Sequence, residues 1–428
     1  MEQTIFAQAT PPGRSGVAVI RISGPNAHDA ARALGAGDPP LRHAALRRLT
    51  DPRTHATLDT ALVLRFAAPN SFTGEDCVEL HVHGGPAVCR SVQAALLALP
   101  GLRLAEPGEF TRRALLNGKI DLAQAEGLAD LLAAESESQA RQAMALMDGR
   151  LSAKATDWRR LLIESLALLE ACIDFSDEEI PSDLIWRVEA DLRGLAVSLD
   201  AELEGSEASE RLRLGYEVAL VGAPNVGKST LLNALAKRDV AITSEIAGTT
   251  RDVIEVRMEL RGLPVTIIDL AGLREARDPI EEIGVGRARE RAGYADLRIF
   301  LLEQEEDIVE LGVDRKDRDL VVFAKADVRK DGRGVSGRTG QGLEGLIDSI
   351  VTELGQRAAS ASLIGHERQR DAVQHACSAT VRALQMLASP ELAAEDVRQA
   401  LRSLDFLLGA ADVEAVLDVI FGRFCIGK

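Results

Sequence analysis

A phosphate-binding loop is the sequence feature that most constrains the fold of this chain. Residues 222–229 have the sequence Gly-Ala-Pro-Asn-Val-Gly-Lys-Ser, between a short apolar segment (217–221) and a helical pattern (229–237). Glycines let successive N–H groups face one anion, and a helix N-terminus favours negative charge. Lys228 would reach the β/γ-phosphates as a catalytic residue, and Ser229 would ligate Mg²⁺. The sequence therefore predicts a strand–loop–helix unit of an α/β domain; a plain glycine-rich turn is the alternative.

Further stretches follow in the order expected of a nucleotide switch. Thr250 offers a hydroxyl to Mg²⁺ and a γ-phosphate. Asp269 and Gly272 come at and after the end of an apolar strand, where the carboxylate would hold Mg²⁺ through water and the Gly N–H would meet the γ-phosphate. After a second apolar strand, the Lys325 stem would cover a base and Asp327 would accept two hydrogen bonds from guanine. Backbone N–H groups of residues 335–337 would face the guanine oxygen.

These stretches together predict a guanine-nucleotide hydrolase, because ligands bind at the carboxyl ends of parallel strands in such sheets. Ala324 stands where GTPases carry an Asn that ties the base-binding loop to the phosphate loop. Its loss predicts weaker guanine affinity or specificity and leaves ATP open as an alternative. The nucleotide-binding residues predicted at this point are Asn225, Val226, Gly227, Lys228, Ser229, Thr230, Thr250, Asp269, Gly272, Lys325, Asp327, Ser336 and Gly337.

Composition indicates a cytosolic multidomain protein. A chain of 428 residues should hold two or three domains. No apolar run has membrane-spanning length and the N-terminus lacks a secretory pattern, so we expect a cytoplasmic protein with no membrane partner. The five cysteines are scattered without a Cys-x-x-Cys pair, as in reduced proteins. The net charge of −16 excludes a uniformly basic surface for nucleic acid.

Hydrophobic periodicity predicts three domains. They are an α+β domain at 1–118, an all-α helical domain at 119–214 and 356–428, and an inserted α/β domain at 215–355. Because helical pattern lies on both sides of the α/β module, the two ends of the module must lie close together. In the last helical segment, Val373, Cys377, Val381 and Leu384 are expected to line one face.

Five stretches outside the module resemble the MnmE/TrmE family of tRNA-modification GTPases. They are residues 4–17, 70–76, 106–111, 117–126 and 424–428. The resemblance runs from end to end, whereas the nucleotide module alone would not separate the chain from ribosome-assembly GTPases. One departure is the segment 303–319, which is shorter than is usual in the family.

The resemblance implies a particular activity and set of partners. It implies that the N-terminal domain binds a tetrahydrofolate derivative, in the 5-formyl or 5,10-methylene form, and that the chain forms a homodimer. It also implies a heterotetrameric-type complex with an FAD-dependent flavoprotein, MnmG or GidA. Together the two proteins would add a carboxymethylaminomethyl-type group to carbon 5 of the wobble uridine of certain tRNAs.

Four residues resemble the folate contacts of the family by motif: Arg21, Glu79, Lys119 and Lys428. A carboxylate such as Glu79 can accept two N–H bonds from the edge of a pterin, and cations suit the glutamate tail or the formyl oxygen of folate. The alternative for Arg21 and Glu79 is an ion pair on a strand surface.

Two further sets of residues have open interpretations. Cys425 resembles the reactive thiol of the family, which a basic neighbourhood would favour; the alternative is a small buried hydrophobic residue. Cys77, Glu79, His81 and His83 share one strand face, which suggests zinc. Neighbouring positions on such a face splay apart, and no second ligand cluster is evident, so we expect no metal there.

The residue that orients the attacking water is not evident from the nucleotide motifs. Leu273 occupies the place where many small GTPases have a Gln, and Arg251 and Arg274 are the candidate arginine fingers. The resemblance instead implies a potassium ion that supplies the missing charge. Its implied ligands are Asn225, Ser244, Ile246 and Thr249. Ser244 and Thr249 are also implied as nucleotide contacts. Glu281 resembles the catalytic, water-positioning acid, with Glu282 as the alternative.

Three functions fit these observations. The first is a potassium-activated GTPase that drives wobble-uridine modification with a flavoprotein. The second is a ribosome-assembly or RNA-chaperone GTPase without modification chemistry, which leaves residues 1–118 unexplained. The third is a folate one-carbon transferase regulated by GTP. We expect the first, because it accounts for the whole chain.

Overall fold

The computed structural model describes most of the chain. The described residues are 3–174, 182–238, 253–270, 290, 292–310, 314–409, 420, 422 and 427. The chain forms two compact units, the first comprising Met1–Ala129 and Leu408–Lys428, the second Asp130–Leu407. Within the described residues, no helix combines the length and the apolarity needed to cross a lipid bilayer.

A six-stranded sheet forms the centre of the first unit, in the order β3-β4-β5-β2-β1-β6. Its strands are β1 Thr4–Gln8, β2 Ser15–Ser23, β3 Ala45–Thr50, β4 Thr57–Phe66, β5 Cys77–Gly84 and β6 Leu102–Leu104. All neighbours are antiparallel except β1 and β6. An antiparallel sheet can be buried on one face and open on the other, which is the pattern observed here.

The two faces of this sheet differ. The helices of the unit are α1 Ala27–Ala33, α2 Pro86–Leu97, α3 Glu109–Leu116 and α4 Leu122–Ala133. Residues of α1 and α2 share one core with Ile20, Leu80 and other inward positions of the strands. The alternate strand positions point to the opposite face, where Phe110 of α3 packs on Ile5 at β1. The half-buried or exposed residues of this face, called the open sheet face below, are Val19, Arg21, Leu46, Leu62, Leu64, Glu79 and His81.

The second unit begins and ends with helices. They are α5 Glu137–Met147, α6 Arg150–Asp174, α7 Ser182–Glu204 and α8 Ser206–Leu214 before the nucleotide module, and α12 Glu367–Gln385 and α13 Pro390–Leu408 after it. The helical spacing of four apolar residues in the sequence predicts a buried stripe on α7, and all four are fully buried: Val188, Leu192, Leu195 and Leu199. The stripe predicted on α12 was wrong in one member, because Val381 is 40% exposed.

The buried face of α12 consists largely of small side chains. Its members include Val373, Ala376, Ala379, Thr380 and Ala383. Alanines allow a helix to approach its neighbour closely, so they can form a packing face that a count of large apolar residues overlooks.

The nucleotide module contains a five-stranded sheet in the order β11-β10-β7-β9-β8. Its strands are β7 Tyr216–Val221, β8 Val253–Leu260, β9 Leu263–Leu270, β10 Leu297–Leu302 and β11 Leu320–Phe323, and its helices are α9 Lys228–Arg238, α10 Asp307–Glu310 and α11 Leu343–Ala358. All neighbours are parallel except β8 and β9. Every residue of β10 is buried, as expected of a strand inside a parallel sheet. The order reverses between β7 and β10, which is where such sheets bind ligands.

The two ends of the nucleotide module lie side by side on the helices. The Ser209 hydroxyl of α8 donates to the Ser362 carbonyl at 2.7 Å, and Arg213 Nε donates to the Gly365 carbonyl at 2.9 Å. The chain thus leaves the helical part and returns to it through adjacent segments, as an insertion requires. The residue boundaries of the three domains stay a prediction.

Candidate functional site

A cleft of about 320 Å³ opens beyond the carboxyl ends of β7, β10 and β11. Eight residues predicted to bind nucleotide lie in its wall: Asn225, Val226, Gly227, Thr230, Lys325, Asp327, Ser336 and Gly337. They come from three separate segments of the sequence, and the parallel strands bring these segments to one edge. The cleft therefore unites the phosphate loop with the two loops predicted to hold a base.

The phosphate loop has the backbone that an anion cradle needs. Asn225 and Gly227 adopt positive φ angles of +62° and +114°. A Cβ atom at Gly222 would lie 2.5 Å from the Leu301 carbonyl, so the loop can approach β10 only with glycine there. Lys228 begins α9, is buried, and donates from Nζ to the Gly222 carbonyl at 2.8 Å.

The electrostatics of Lys228 suit an anionic ligand. Burial lowers the pKa of its ammonium group, while the Asp269 carboxylate acts in the opposite direction. A phosphate beside Nζ would offset the cost of burying this charge.

A candidate magnesium site lies beside the lysine. The Ser229 hydroxyl donates to Asp269 Oδ2 at 2.6 Å. Asp269 lies on buried β9, and its Oδ1 is buried without a hydrogen-bond partner among the described residues. Such an oxygen needs a donor or a cation, and hydroxyl and carboxylate oxygens are the ligands that Mg²⁺ prefers. These two residues therefore fit the ion.

The base-binding end of the cleft contains Asp327 and Ser336. A hydrogen bond from the Ser336 side chain holds the pKa of the exposed Asp327 carboxyl below its ordinary value, with a smaller contribution from the Arg338 charge. Asp327 is therefore ionised at neutral pH and able to accept two N–H bonds. Lys325 has φ +56° and forms an exposed ion pair with Glu303 at 2.6 Å. A bound base would compete with Glu303 for contact with the Lys325 side chain.

A close backbone contact joins the base-binding loop to the phosphate-binding helix. A Cβ atom at Gly337 would lie 2.7 Å from backbone atoms of Thr230 and Leu231 in α9. Ala324, which is 3% exposed, lines the same cleft. The base-binding loop is thus held against α9, the helix that follows the phosphate loop, by direct packing of the backbone at Gly337.

Sequence reasoning missed several cleft residues. They are Leu231, Leu301, Val328 and Arg338. The first three are apolar and carry no chemical signal. Arg338 directly follows the predicted Ser336-Gly337 pair, so its position next to a base-binding loop was the signal that could have found it.

Eight predicted site residues lie outside the described part of the chain. They are Ser244, Ile246, Thr249, Thr250, Gly272, Glu281, Cys425 and Lys428. The alternatives Arg251, Leu273, Arg274 and Glu282 also lie there. Of the four implied potassium ligands, the structure describes Asn225.

The first unit brings together two of the predicted folate residues. Arg21 and Glu79 face each other in the β2–β5 register, and Arg21 Nη2 donates to Glu79 Oε1 at 2.9 Å. His81 Nε2 lies 3.3 Å from the other carboxylate oxygen. The guanidinium also lies 5.3 Å from the centroid of the Phe72 ring. The inter-strand ion pair considered as the alternative is therefore present, beside an aromatic ring.

Lys119 and the C-terminal segment lie elsewhere in the first unit. A Cβ atom at Gly74 would lie 3.2 Å from Lys119 Cγ, so the lysine stem packs on the loop that follows Phe72. A Cβ atom at Gly427 would lie 2.3 Å from the Gln8 carbonyl. Gly427 thus touches the end of β1, the strand that pairs with the strand of Arg21.

The candidate zinc ligands of β5 have separate partners. Cys77 is buried, with its Sγ 3.3 Å from the Ser23 hydroxyl, while His81 contacts Glu79 and His83 contacts Asp59 at 2.8 Å. Nowhere in the described ranges do three or more His, Cys, Asp or Glu side chains form a cluster able to hold a metal ion.

Comparisons with known proteins identify the family. The model of the MnmE helical domain matches residues 122–425, and that of the GTP-binding protein TrmE N-terminus matches residues 4–119. The tRNA modification GTPase MnmE of Cereibacter sphaeroides is 54% identical over 99% of this chain and 100% of its own. That of Dinoroseobacter shibae is 51% identical over the same shares. Among solved structures, Aquifex aeolicus Era bound to GDP.AlF4- is 24% identical over 32% of this chain and 56% of its own, with a TM-score of 0.27, too low to support an inference. The chain therefore belongs to the MnmE (TrmE) family of tRNA modification GTPases.

Proposed function

We propose that this protein hydrolyses GTP and, with an FAD-dependent flavoprotein partner, adds a carboxymethylaminomethyl-type group to carbon 5 of wobble uridine in certain tRNAs. The one-carbon unit would come from a tetrahydrofolate. The observation that carries the proposal is the convergence of eight nucleotide-motif residues on one cleft in a chain similar to MnmE proteins over its full length. The alternative of a ribosome-assembly GTPase leaves the first unit without a role.

Binding of GTP would use the cleft from end to end. Lys228 and the N–H groups of the phosphate loop would hold the β- and γ-phosphates. Ser229, Asp269 and Thr250 would hold Mg²⁺, which would supply positive charge to neutralise the phosphates. At the other end Asp327 would accept hydrogen bonds from guanine. The Asp269 oxygen, which lacks a partner within the described part of the chain, and the buried Lys228 charge support this assignment.

Hydrolysis would depend on a cation and a carboxylate. Asn225, with Ser244, Ile246 and Thr249, would hold a potassium ion that supplies positive charge near the transferred phosphate. Glu281 would position the attacking water. The place of Asn225 in the cleft wall supports the first of these roles.

The first unit would bind the folate on its open sheet face. Glu79 would accept N–H bonds from the pterin edge, and Phe72 offers a flat apolar surface beside it. Arg21, Lys119 and Lys428 would supply positive charge, and Cys425 the reactive thiol. A carboxylate, a guanidinium, an imidazole and an aromatic ring within one face fit such a ligand, although Glu79 must then exchange its bond to Arg21.

The same face would form the homodimer. Leu46 on it is 65% exposed, and Val19, Leu62 and Leu64 are half-buried. An apolar surface of this kind is costly to leave in water, so a second copy of the chain is its expected partner.

The deciding experiment is nucleoside analysis of tRNA. Mass spectrometry of a strain that lacks this protein should show loss of the modified wobble uridine. The wild-type gene should restore it, and a Lys228→Ala gene, which removes the phosphate-binding cation, should not. An unchanged nucleoside profile in the deletion strain would reject the proposed function.

A further inference from the structure

The β8–β9 hairpin connects the nucleotide site to the helical part of the second unit. Its strands pair without interruption from Val253 opposite Leu270 to Leu260 opposite Leu263. The two residues of the turn, Arg261 and Gly262, have φ +48° and +88°, the positive angles of a tight type I′ turn. Asp269 lies near the other end, roughly 23 Å from Gly262 along the strand. A continuous two-stranded ladder with a tight turn moves as one element.

The hairpin turn is bonded to the first turn of α5. The Gly262 carbonyl accepts from the Ser138 backbone N–H at 3.2 Å and from the Ser138 hydroxyl at 2.5 Å. Ser138 is the second residue of α5, where backbone N–H groups have no partner within the helix. The carbonyl of the hairpin turn therefore accepts hydrogen bonds from two donors of the helical part, the backbone N–H and the hydroxyl of Ser138.

The start of α5 is in turn fixed to α8. Ser136 and Gln139 form a capping box, which holds the first turn in place. Gln139 Nε2 also donates to the Arg213 carbonyl at 2.9 Å, and Gln142 Nε2 donates to the Ser209 carbonyl at 3.2 Å. Arg213 and Ser209 belong to the helix that leads into the nucleotide module. The contact at Ser138 thus lies between the hairpin and the junction through which the module is inserted.

We propose that the helical part senses occupancy of the Ser229–Asp269 site through the Ser138–Gly262 contact. The proposal rests on the nucleotide site proposed above. Asp269 Oδ1 has no partner among the described residues. An ion that engages this oxygen acts on β9, and the strand pair carries any displacement to Gly262. Because coupling between two sites is reciprocal, the state of the Ser138 bonds must also affect nucleotide affinity. Ser138 is a positioning residue, since it touches neither nucleotide nor metal.

Hydrogen exchange of the full-length protein tests the coupling directly. Peptides that cover residues 136–147 should exchange at different rates in the free protein and with Mg²⁺ plus GDP or a non-hydrolysable GTP analogue. We expect a change of about fivefold in the slowest amides, the factor that corresponds to one neutral hydrogen bond. Peptides from α13 are the internal control and should not change. Equal exchange at 136–147 in all states, with nucleotide shown to be bound, would overturn the proposal.

Substitution of Ser138 tests the reciprocal effect. Ser138→Ala removes the hydroxyl bond and should change the ratio of GTP-analogue to GDP affinity by two- to fivefold, whereas Ser138→Thr, which keeps a hydroxyl, should restore the ratio. Ser403→Ala on α13 is the matched control, because its hydroxyl donates to a carbonyl of its own helix. An unaltered ratio in Ser138→Ala contradicts the proposal. Failure of the unaltered protein to bind either nucleotide contradicts the proposed nucleotide site instead.

Discussion

Two buried polar groups determine the chemistry next to the phosphate loop, beside the residues that line the cleft. Lys228 satisfies its charge with loop carbonyls, and Asp269 satisfies one oxygen with Ser229 while the other has no partner in the described residues. Buried charges without full pairing cost free energy, so the site is arranged for a ligand that carries both anionic and cationic groups. A nucleotide with its metal ion is such a ligand.

Asp327 should determine which purine the cleft accepts. Asp327→Asn replaces an acceptor-only group by an amide, so one of the two hydrogen bonds from guanine becomes a contact between donors. We expect GDP affinity to fall by about thirtyfold in equilibrium titration with a fluorescent nucleotide. Xanthine, which has an oxygen in place of the exocyclic amine, should bind the variant better than guanine does.

The control for this substitution is Asp331→Asn. Asp331 is an exposed acid of the neighbouring loop and pairs with Arg329. Asp331→Asn should leave the GDP affinity within about twofold of the value for the unaltered protein, because surface ion pairs contribute little free energy. Equal losses in the two variants would mean that Asp327 acts through general charge and does not read the base.

Asn225 should confer dependence on potassium. GTP turnover of the unaltered protein is expected to rise at least tenfold when potassium replaces sodium at constant ionic strength. Asn225→Ala removes a ligand oxygen from the phosphate loop and should make the two rates equal. The exposed Asn70→Ala, in the first unit, serves as control and should keep the difference. Equal rates in both salts for the unaltered protein would contradict the cation mechanism.

The sequence predicted the residues with a chemical role in the site better than the apolar residues that give the cleft its shape. Lys228 and Asp327 belong to motifs whose spacing is set by the ligand, so they can be recognised without coordinates. Leu301 and Val328 contribute shape, which depends on how the strands are ordered in the sheet, and no local pattern encodes that order. The Arg21–Glu79 register is also a long-range property, because it joins residues of two strands.

At the scale of elements, the packing of the 335–337 loop on α9 should be as important for nucleotide binding as the base-binding residues themselves. Gly337→Ala would place a Cβ 2.7 Å from backbone atoms of α9, which cannot rotate away as a side chain can. We expect a loss of stability of about 1–3 kcal/mol, the usual cost of overpacking, and at least tenfold weaker GDP binding. Thermal unfolding with and without GDP measures both effects.

Gly345→Ala is the matched control for this substitution. Gly345 lies in α11, and a Cβ there would meet no atom within 4 Å. Alanine favours helix over glycine by up to about 1 kcal/mol, so this variant should be slightly more stable and bind GDP normally. Normal GDP affinity in Gly337→Ala would show that the close approach is not needed for the site.

Element positions followed from periodicity where large apolar residues mark the buried side. On α7 such residues recur at helical spacing, and the predicted stripe is buried. On α12 the packing face is built from Ala376, Ala379 and Ala383, whose small size gives little apolar signal, and the prediction included the exposed Val381. Helix packing is decided by the shape of both partners, so a pattern within one helix gives only part of it.

For the whole molecule, the insertion of the nucleotide module fixes what its motions can affect. The segment that leads into the module and the segment that leaves it are hydrogen-bonded to each other, through Ser209–Ser362 and Arg213–Gly365. The hairpin is bonded to α5 at Ser138, and α5 is bonded to α8 through Gln139, so changes in the sheet of the module act on α5 and α8 directly. Sequence pattern predicted this closeness, because a helical bundle interrupted by a domain must rejoin at the same place.

The open sheet face should hold two copies of the chain together. Leu46→Asp places a charge on an exposed apolar position of β3, where burial against a second copy would leave it unpaired. We expect the dimer dissociation constant to rise at least tenfold in sedimentation equilibrium. Leu97→Asp is the control: Leu97 is 55% exposed at the end of α2, on the helix-covered side of the sheet, and should leave the dimer intact. If Leu46→Asp dimerises as tightly as the unaltered protein, the dimer uses another surface, and the folate site must then be complete within one copy.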